Sequence, residues 1–189
     1  MAAVADLLAE AGISTLRFQF PYMEAGSKRP DRPALAHAAV RAAVVKASKL
    51  APGVPLFAGG KSFGGRMTSQ AQALEPLPDV RGLLFLGFPL HPPDKPSVER
   101  AAHLLDVEIP MLFVQGTRDA LAKPALLRGV VKRLGKRATL WPVKDADHSF
   151  GVLVRSGRTH QEVLAEIADI ASHWMKVGKL ARRPVGQRA

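Results

Sequence analysis

One stretch decides the fold of this chain: Pro55-Leu56-Phe57-Ala58-Gly59-Gly60-Lys61-Ser62-Phe63-Gly64-Gly65-Arg66-Met67. Its apolar run stops at glycines and then resumes in helix-compatible residues, which predicts a strand, a tight turn and a helix. Residues 60–64 fit the pattern G-x-S-x-G, in which a strained turn lifts a serine hydroxyl above a sheet. We expect Gly60 and Gly64 to be required because a Cβ at either position would collide with the neighbouring strand or helix. Ser62 is therefore a candidate nucleophile.

Two other interpretations of this stretch have to be weighed. Gly60-Lys61-Ser62 imitates the end of the phosphate-binding loop G-x-x-x-x-G-K-[ST], but that loop needs glycine at position 55, where this chain has Pro55. A phosphate-binding loop is therefore disfavoured. The pattern also occurs in turns whose glycines are purely structural, so the rest of the chain has to decide between a turn of that kind and a nucleophile.

Length and composition predict one domain. The chain has 189 residues, of which 47% are hydrophobic, enough for a sizeable core. We place this domain at residues 1–177 and a basic, loose tail at 178–189. The absence of cysteine excludes disulfides, a thiol nucleophile and cysteine-ligated metals. Because the six histidines are scattered without metal-binding spacing, we expect neither a metal nor another cofactor.

Charge and hydropathy bear on location and partners. The first ten residues carry two acids and no basic region, unlike a secretory leader, and no apolar run approaches the ~20 residues of a membrane span. We therefore expect a cytoplasmic protein with no membrane partner. Part of the net charge of +11 lies in the tail and another part in residues 28–32, and aromatic residues for base stacking are few. We interpret it as a solvated basic surface rather than a nucleic-acid site; the oligomeric state is not predicted.

Strands and helices alternate along the chain. We predict strands at 13–20, 55–59, 80–88, 111–114 and 138–143, and helices at 2–11, 35–50, 64–74, 97–105, from about 120 to 134, and from Thr159 onward. Residues 21–34 contain three prolines and are expected to be irregular. Thr159 and Glu162 form a T-x-x-E capping box at the last helix. Five strands alternating with helices predict a three-layer α/β/α fold with a mostly parallel sheet.

Three polar residues converge in this fold. Ser62, Asp119 and His148 each follow a different strand, and parallel strands bring such positions to one edge of the sheet. His148 would remove the proton of Ser62, and Asp119 would orient and stabilise the imidazole. Alternatively, Asp119 caps a helix beginning near residue 120, His148 is an ordinary loop histidine, or Asp145 or Asp147 is the acid instead.

Five blocks, in order, resemble a known family: Arg17-Phe18-Gln19-Phe20-Pro21-Tyr22-Met23-Glu24, Gly59-Gly60-Lys61-Ser62-Phe63-Gly64-Gly65-Arg66-Met67, Gly87-Phe88-Pro89-Leu90-His91-Pro92-Pro93, Gly116-Thr117-Arg118-Asp119 and Asp147-His148-Ser149-Phe150. They are similar to the small α/β-hydrolases that include the testis-expressed and NSL-complex-subunit-like proteins, akin to dienelactone hydrolases. The resemblance implies an α/β-hydrolase fold with Ser62, Asp119 and His148 as nucleophile, acid and base. It implies no particular substrate.

The sequence departs from that family at its beginning. Such proteins usually start with a central strand that ends in a His-Gly-Ala-Gly-like loop, and this sequence contains neither. Phe63 N–H then remains as one oxyanion-hole donor without the second, and losing one donor typically costs about 10²–10³ in rate. We expect either a gap of roughly 10 Å between strands 14–20 and 55–59 or direct pairing of the two. A start codon assigned too far downstream, a truncated copy without catalysis, and a fold that closes up are the three explanations.

These observations favour a serine hydrolase that acts on an ester or related acyl bond of a small molecule, as an esterase or dienelactone hydrolase does. The missing N-terminal strand would impair this hydrolase activity. We expect Tyr22, Phe88, Leu90 and His91 to line the substrate pocket because their loops emerge at the same edge of the sheet. The alternative is a non-catalytic interaction protein that keeps the α/β-hydrolase fold.

Overall fold

The structure, a computed structural model, describes residues 1–178. Its helices are α1 (Ala2–Glu10), α2 (Pro21–Glu24), α3 (Pro33–Leu50), α4 (Phe63–Leu74), α5 (Pro124–Leu134) and α6 (His160–Val177). Its strands are β1 (Leu56–Lys61), β2 (Val80–Leu86), β3 (Met111–Gly116) and β4 (Ala138–Val143). Three 3₁₀ helices complete the regular structure, at Glu99–Asp106, Gly135–Arg137 and Val154–Ser156.

The strands form one parallel sheet in the order β1-β2-β3-β4. The inner strands β2 and β3 are apolar along most of their length because helices cover both of their faces. In register, Phe85 of β2 lies opposite Gly60 of β1 on one side and Phe113 of β3 on the other. All four carboxyl ends therefore point to the same edge of the sheet, as predicted.

Two apolar clusters form the core, one on each face of the sheet. The first contains Met67, Phe85 and Phe113 and is covered by α3, α4 and α5. The second contains Leu112 and Trp174 and is covered by α1 and α6, which contact each other. Helices on both faces of a parallel sheet give the predicted three-layer α/β/α arrangement.

The predicted strand at 13–20 is wrong. This segment runs without strand pairing, and several of its side chains are exposed. Its alternating pattern matches an extended chain, but a strand also needs a neighbour with which to exchange ladder hydrogen bonds. Among the described residues β1 has one strand neighbour, β2, and the segment does not pair directly with β1. The described sheet therefore has four strands rather than five.

Three smaller predictions can be compared with the structure. The proline-rich stretch 21–34 contains a helical turn, α2, because Pro21 occupies its first position, where a missing N–H is tolerated. The helix expected right after Asp119 begins later, at Pro124. The capping box is confirmed: Thr159 accepts from Glu162 N–H, and the Glu162 carboxylate accepts from Thr159 N–H at 2.7 Å.

The last described helix, α6, ends at Val177, and the domain boundary at residue 177 stays a prediction. The predicted tail, 178–189, lies outside the described residues except for Gly178. None of the helices in residues 1–178 combines the length and the apolar character that crossing a membrane requires.

Candidate active site

Ser62 stands in a strained turn between β1 and α4. Its φ of 51° and ψ of −116° place it in the left-handed half of backbone space, which non-glycine residues rarely adopt. Two backbone hydrogen bonds hold the turn: Ser62 N–H donates to Leu86 O at 3.1 Å, and Arg66 N–H donates to Ser62 O at 3.1 Å. The turn is therefore anchored to β2 on one side and to the first turn of α4 on the other.

The close contacts around this turn fall on different glycines from those predicted. A Cβ on Gly59 would lie 1.9 Å from Leu84 O, and one on Gly65 would lie 2.7 Å from Gly60 O. On Gly64 the nearest atom would be Phe20 Cε2 at 3.7 Å, an ordinary contact. A Cβ on Gly60 would have the backbone of Gly64 and Gly65 in α4 as its nearest neighbours, at 3.4 Å. The expected collision at Gly64 is thus wrong, and at Gly60 it is the φ of 157° rather than a collision that disfavours a side chain. The closest approaches are those of β1 to β2 at Gly59 and of α4 to β1 at Gly65.

Asp119 lies in the loop after β3, with its side chain wholly buried. Its Oδ1 accepts from Leu121 N–H at 2.8 Å, and its Oδ2 accepts from Gln115 Nε2 at 2.5 Å. Gln115 in turn accepts from Phe88 N–H at 2.8 Å through its own side-chain oxygen. These bonds fix the carboxylate in one orientation. Asp119 is not a helix cap, because α5 begins at Pro124 and has Lys123 at its N-cap.

His148 lies at the tip of a tight loop after β4. The loop is closed by the bridge between Ala146 and Val152, and by the hydrogen bond from Asp147 N–H to Gly151 O at 2.9 Å. The loop packs closely on the end of β3, because a Cβ on Gly116 would lie 2.4 Å from Ala146 O. The imidazole is therefore carried by a segment seated directly against the strand that precedes Asp119.

The three side chains meet at the carboxyl edge of the sheet. His148 Nδ1 is 2.7 Å from Asp119 Oδ2, and His148 Nε2 is 2.8 Å from Ser62 Oγ. An ionised carboxylate only accepts, so Nδ1 carries the proton of the neutral imidazole and Nε2 accepts from the serine hydroxyl. The imidazole is partly open to solvent, with 23% of its side chain exposed.

The two other candidate acids have different positions. The Asp147 carboxylate accepts from Ser149 N–H at 2.8 Å and from Gly151 N–H at 2.9 Å, and so shapes the histidine loop. Asp145 donates its backbone N–H to Thr117 Oγ1 at 2.9 Å. Among the described carboxylates, the one hydrogen-bonded to His148 is that of Asp119.

Phe63 and Tyr22 lie together beside Ser62. The Phe63 ring contacts Phe20 with centroids 5.2 Å apart and Tyr22 with centroids 5.9 Å apart, both edge to face. Phe63 is the first residue of α4, where backbone N–H groups have no acceptor within the helix. Its N–H therefore remains available next to the serine, and Tyr22 contacts the residue that follows the serine. That Tyr22 lines a substrate pocket stays a prediction.

The structure places the other three predicted pocket residues in the interior. Phe88, Leu90 and His91 are 1%, 0% and 1% exposed. His91 is bonded at both ring nitrogens, since Nδ1 lies 2.8 Å from Pro92 O and Nε2 accepts from Lys123 N–H at 3.0 Å. The prediction that they line the pocket is therefore corrected: this loop turns inward and ties β2 to the start of α5.

Sequence reasoning missed Gln115. It is buried, and it joins the loop after β2 to Asp119. The available signal was a polar residue at the end of an otherwise apolar strand, four positions before the acid.

A groove that does not include the three converging side chains lies between β4 and α6. It is bounded by Trp141 and by residues of α6, including Glu162 and Glu166. Within residues 1–178, no three histidine or acidic side chains gather in a way that would hold a metal ion.

The fold described above agrees with the comparison to known families. Residues 1–176 match the sequence model of a family described as an alpha/beta hydrolase domain. The chain belongs to this family. The match spans every element from α1 to most of α6, so the four-stranded sheet and its helices are those of an α/β-hydrolase domain.

Solved structures share this fold at low sequence identity. An alpha-beta serine hydrolase homologue from Coxiella burnetii is 19% identical with a TM-score of 0.68, covering 90% of this chain and 75% of its own. A serine hydrolase without a lid from Xanthomonas campestris is 21% identical with a TM-score of 0.69, covering 96% and 74%. A monoacylglycerol lipase from Paleococcus ferrophilus is 15% identical with a TM-score of 0.66, covering 91% and 86%.

Proposed function

We propose that this α/β-hydrolase-family protein is a serine hydrolase that cleaves an ester or related acyl bond of a small molecule. The observation that carries the proposal is the continuous hydrogen-bond chain from Ser62 Oγ through His148 to Asp119, with bonds of 2.8 and 2.7 Å. Serine hydrolases and a lipase among the similar structures support it. The narrower likeness to testis-expressed and NSL-complex-subunit-like proteins rests on the sequence blocks.

The first half of the reaction forms an acyl-enzyme. His148 Nε2 accepts the proton of Ser62 as Oγ attacks the substrate carbonyl, and the resulting imidazolium is stabilised by the buried carboxylate of Asp119. The carbonyl oxygen becomes an oxyanion, toward which Phe63 N–H donates from the positive end of α4. His148 then returns the proton to the leaving alcohol.

The second half hydrolyses the acyl-enzyme. His148 takes a proton from water, the hydroxide attacks the acyl carbon, and the released Ser62 oxygen regains the proton. Gln115 supports both halves as a positioning residue. By donating to Asp119 Oδ2 and accepting from Phe88 N–H, it keeps the carboxylate turned toward the imidazole.

Labelling with a fluorophosphonate probe tests this proposal on the full chain. We expect covalent labelling of the wild type, and none of Ser62→Ala. The matched control is Ser149→Ala, because Ser149 is an exposed serine adjacent to His148 in sequence. It should label like the wild type. Equal labelling of Ser62→Ala, or labelling that Ser149→Ala abolishes, would refute the assignment of the nucleophile.

A turnover assay addresses catalysis itself. Hydrolysis of 4-nitrophenyl acetate should depend on Ser62 and His148. Loss of either is expected to lower kcat by about 10³-fold or more, since the members of such a triad act as a unit. If the wild-type protein turned over no faster than the Ser62→Ala and His148→Ala variants, the result would support the non-catalytic alternative instead.

A further inference from the structure

The loop that follows β2 lies against the acid and the base of the candidate site. Gly87 begins it, and a Cβ on Gly87 would lie 3.3 Å from His148 O and 3.4 Å from His148 Nδ1. The next residue, Phe88, donates its N–H to Gln115, which donates in turn to Asp119 Oδ2. This loop contributes no reacting group, but it contacts the base directly and reaches the acid through one side chain.

His91, farther along this loop, holds the segment that follows Asp119. Its backbone N–H donates to Leu121 O at 2.9 Å, and its Nε2 accepts from Lys123 N–H at 3.0 Å. Its Nδ1 lies 2.8 Å from Pro92 O, which can only accept, so Nδ1 carries the proton and Nε2 is left as the acceptor. Residue 91 is therefore bonded to the segment after the acid through its backbone and through its buried ring.

The same segment orients the carboxylate. Leu121 N–H donates to Asp119 Oδ1 at 2.8 Å, while Oδ2 faces His148 Nδ1 at 2.7 Å. Leu121 is thus held at both of its backbone groups, at the N–H by Asp119 and at the oxygen by His91. A shift of residues 121–123 would move the donor that fixes Oδ1 and turn Oδ2 away from the imidazole. Misplacements of about 1 Å in such sites cost up to about 10²-fold in rate.

We propose that His91 is a positioning residue for Asp119, which it holds through residues 121–123, and that it thereby keeps the imidazole of His148 in its catalytic tautomer. His91 itself lies outside the hydrogen-bond chain that begins at Ser62. The inference rests on the proposed function for its effect on turnover. It does not rest on that function for the geometry of the Asp119–His148 pair, which can be measured without turnover.

Three substitutions separate the side-chain hydrogen bond of His91 from the space that its ring fills. The side-chain oxygen of glutamine is as many bonds from Cα as Nε2 is in histidine, so His91→Gln keeps an acceptor for Lys123 N–H. His91→Asn is shorter by one bond and does not reach that N–H. His91→Met fills a similar volume but offers only a weakly accepting sulfur, so it tests the bond even if the shorter asparagine unfolds the protein.

His103→Asn is the matched control. His103 is half-buried, and its Nε2 lies 2.8 Å from Ser69 Oγ in α4 rather than against residues 121–123. Burial, followed by the charge of Arg66, lowers the pKa of His103 to about 4, so this histidine is neutral near pH 7 and its loss changes no charge there. The same substitution is thus made at a histidine that also bonds to a neighbouring element, but not to the segment after the acid.

The tautomer of His148 reports the orientation of Asp119 directly. Long-range ¹H–¹⁵N NMR measures it on the histidine-labelled Ser62→Ala protein, in which no hydroxyl donates to Nε2. We expect the Nδ1–H form to dominate in this protein, and still to dominate when His91→Gln or His103→Asn is added. The Nε2–H form should dominate when His91→Asn or His91→Met is added. If the Nδ1–H form dominates in either of these folded variants, or in none of the proteins, the positioning role is overturned.

Turnover of 4-nitrophenyl acetate by the Ser62-containing proteins tests the consequence, at a temperature well below each unfolding midpoint. In His91→Asn and His91→Met, kcat should fall at least about tenfold with KM within about twofold, because the orientation of the acid matters in the transition state rather than in binding. His91→Gln and His103→Asn should keep kcat within about threefold of wild type. Equal kcat in His91→Asn, His91→Met and His103→Asn would overturn the positioning role alone. The expected tautomers without Ser62-dependent turnover would support the positioning of Asp119 and refute the proposed function.

Discussion

Alanine at Gly64 and at Gly65 should change stability in opposite directions. The two residues are adjacent in the first turn of α4, so both substitutions improve helix propensity by up to about 1 kcal/mol. Their surroundings differ. The Cβ on Gly64 would meet a single ring atom at 3.7 Å, whereas the Cβ on Gly65 would meet Gly60 O at 2.7 Å and Phe85 Cδ1 at 3.2 Å.

The size of the effect follows from which atoms must move. Gly60 O belongs to β1, whose pairing with β2 prevents the backbone from shifting away, and the Phe85 ring is fully buried. Overpacking of this kind typically costs about 1–3 kcal/mol. We therefore expect Gly64→Ala to raise the free energy of unfolding by up to about 1 kcal/mol and Gly65→Ala to lower it by about 1–2 kcal/mol after the propensity gain.

Urea denaturation followed by circular dichroism measures both values, provided that the slopes with denaturant agree among the variants. The difference between the two alanine variants should be at least about 1.5 kcal/mol, with opposite signs relative to wild type. Equal stabilities, or a Gly64→Ala protein less stable than Gly65→Ala, would show that the close approach of α4 to β1 is not what requires glycine here.

Three further predictions concern buried polar groups and a helix end. Gln115→Leu should lower the free energy of unfolding by about 2–4 kcal/mol in the same assay, because it leaves a buried N–H unpaired and removes a donor to Asp119. Thr159→Ala should lower it by about 1 kcal/mol, with most of the loss at the start of α6 and detectable by amide exchange. His103 has a folded pKa of about 4, below its unfolded value, so the stability it contributes is present above about pH 6.5 and is lost as the pH falls toward 4. His103→Gln should therefore show a weaker decline in unfolding midpoint between about pH 7 and 4.5 than wild type, and an equal decline would contradict the buried neutral imidazole.

The convergence of Ser62, Asp119 and His148 was predictable because it depends on topology. Each residue follows a strand that is recognisable as a continuous apolar run or as a run bounded by glycine and proline, and parallel strands present their following loops at one edge. The sequence alone did not decide which of Asp119, Asp145 and Asp147 is the acid that orients the histidine. That choice depends on Gln115 and on the tight loop at Asp147, two local arrangements with no periodic signature.

The predictions that the structure contradicts share a different cause. Alternation in residues 13–20 predicts an extended chain, but strand formation depends on a partner that a local pattern does not specify. Phe88, Leu90 and His91 follow a strand, which predicts that they line the pocket at the carboxyl edge of the sheet. Their loop instead satisfies its polar groups internally, with His91 bridging Pro92 O and Lys123 N–H, and so it can be buried.

The candidate site is a property of the whole described sheet rather than of one loop. Ser62 follows β1, Phe88 follows β2, Asp119 follows β3 and His148 follows β4, and hydrogen bonds link these four ends through Gln115 in β3. A slip of one residue in any strand pair would displace a member by about 3.3 Å, more than either the 2.7 or the 2.8 Å bond could tolerate. Strand register and site geometry are therefore coupled, because each member of the hydrogen-bond chain follows a different strand of the sheet.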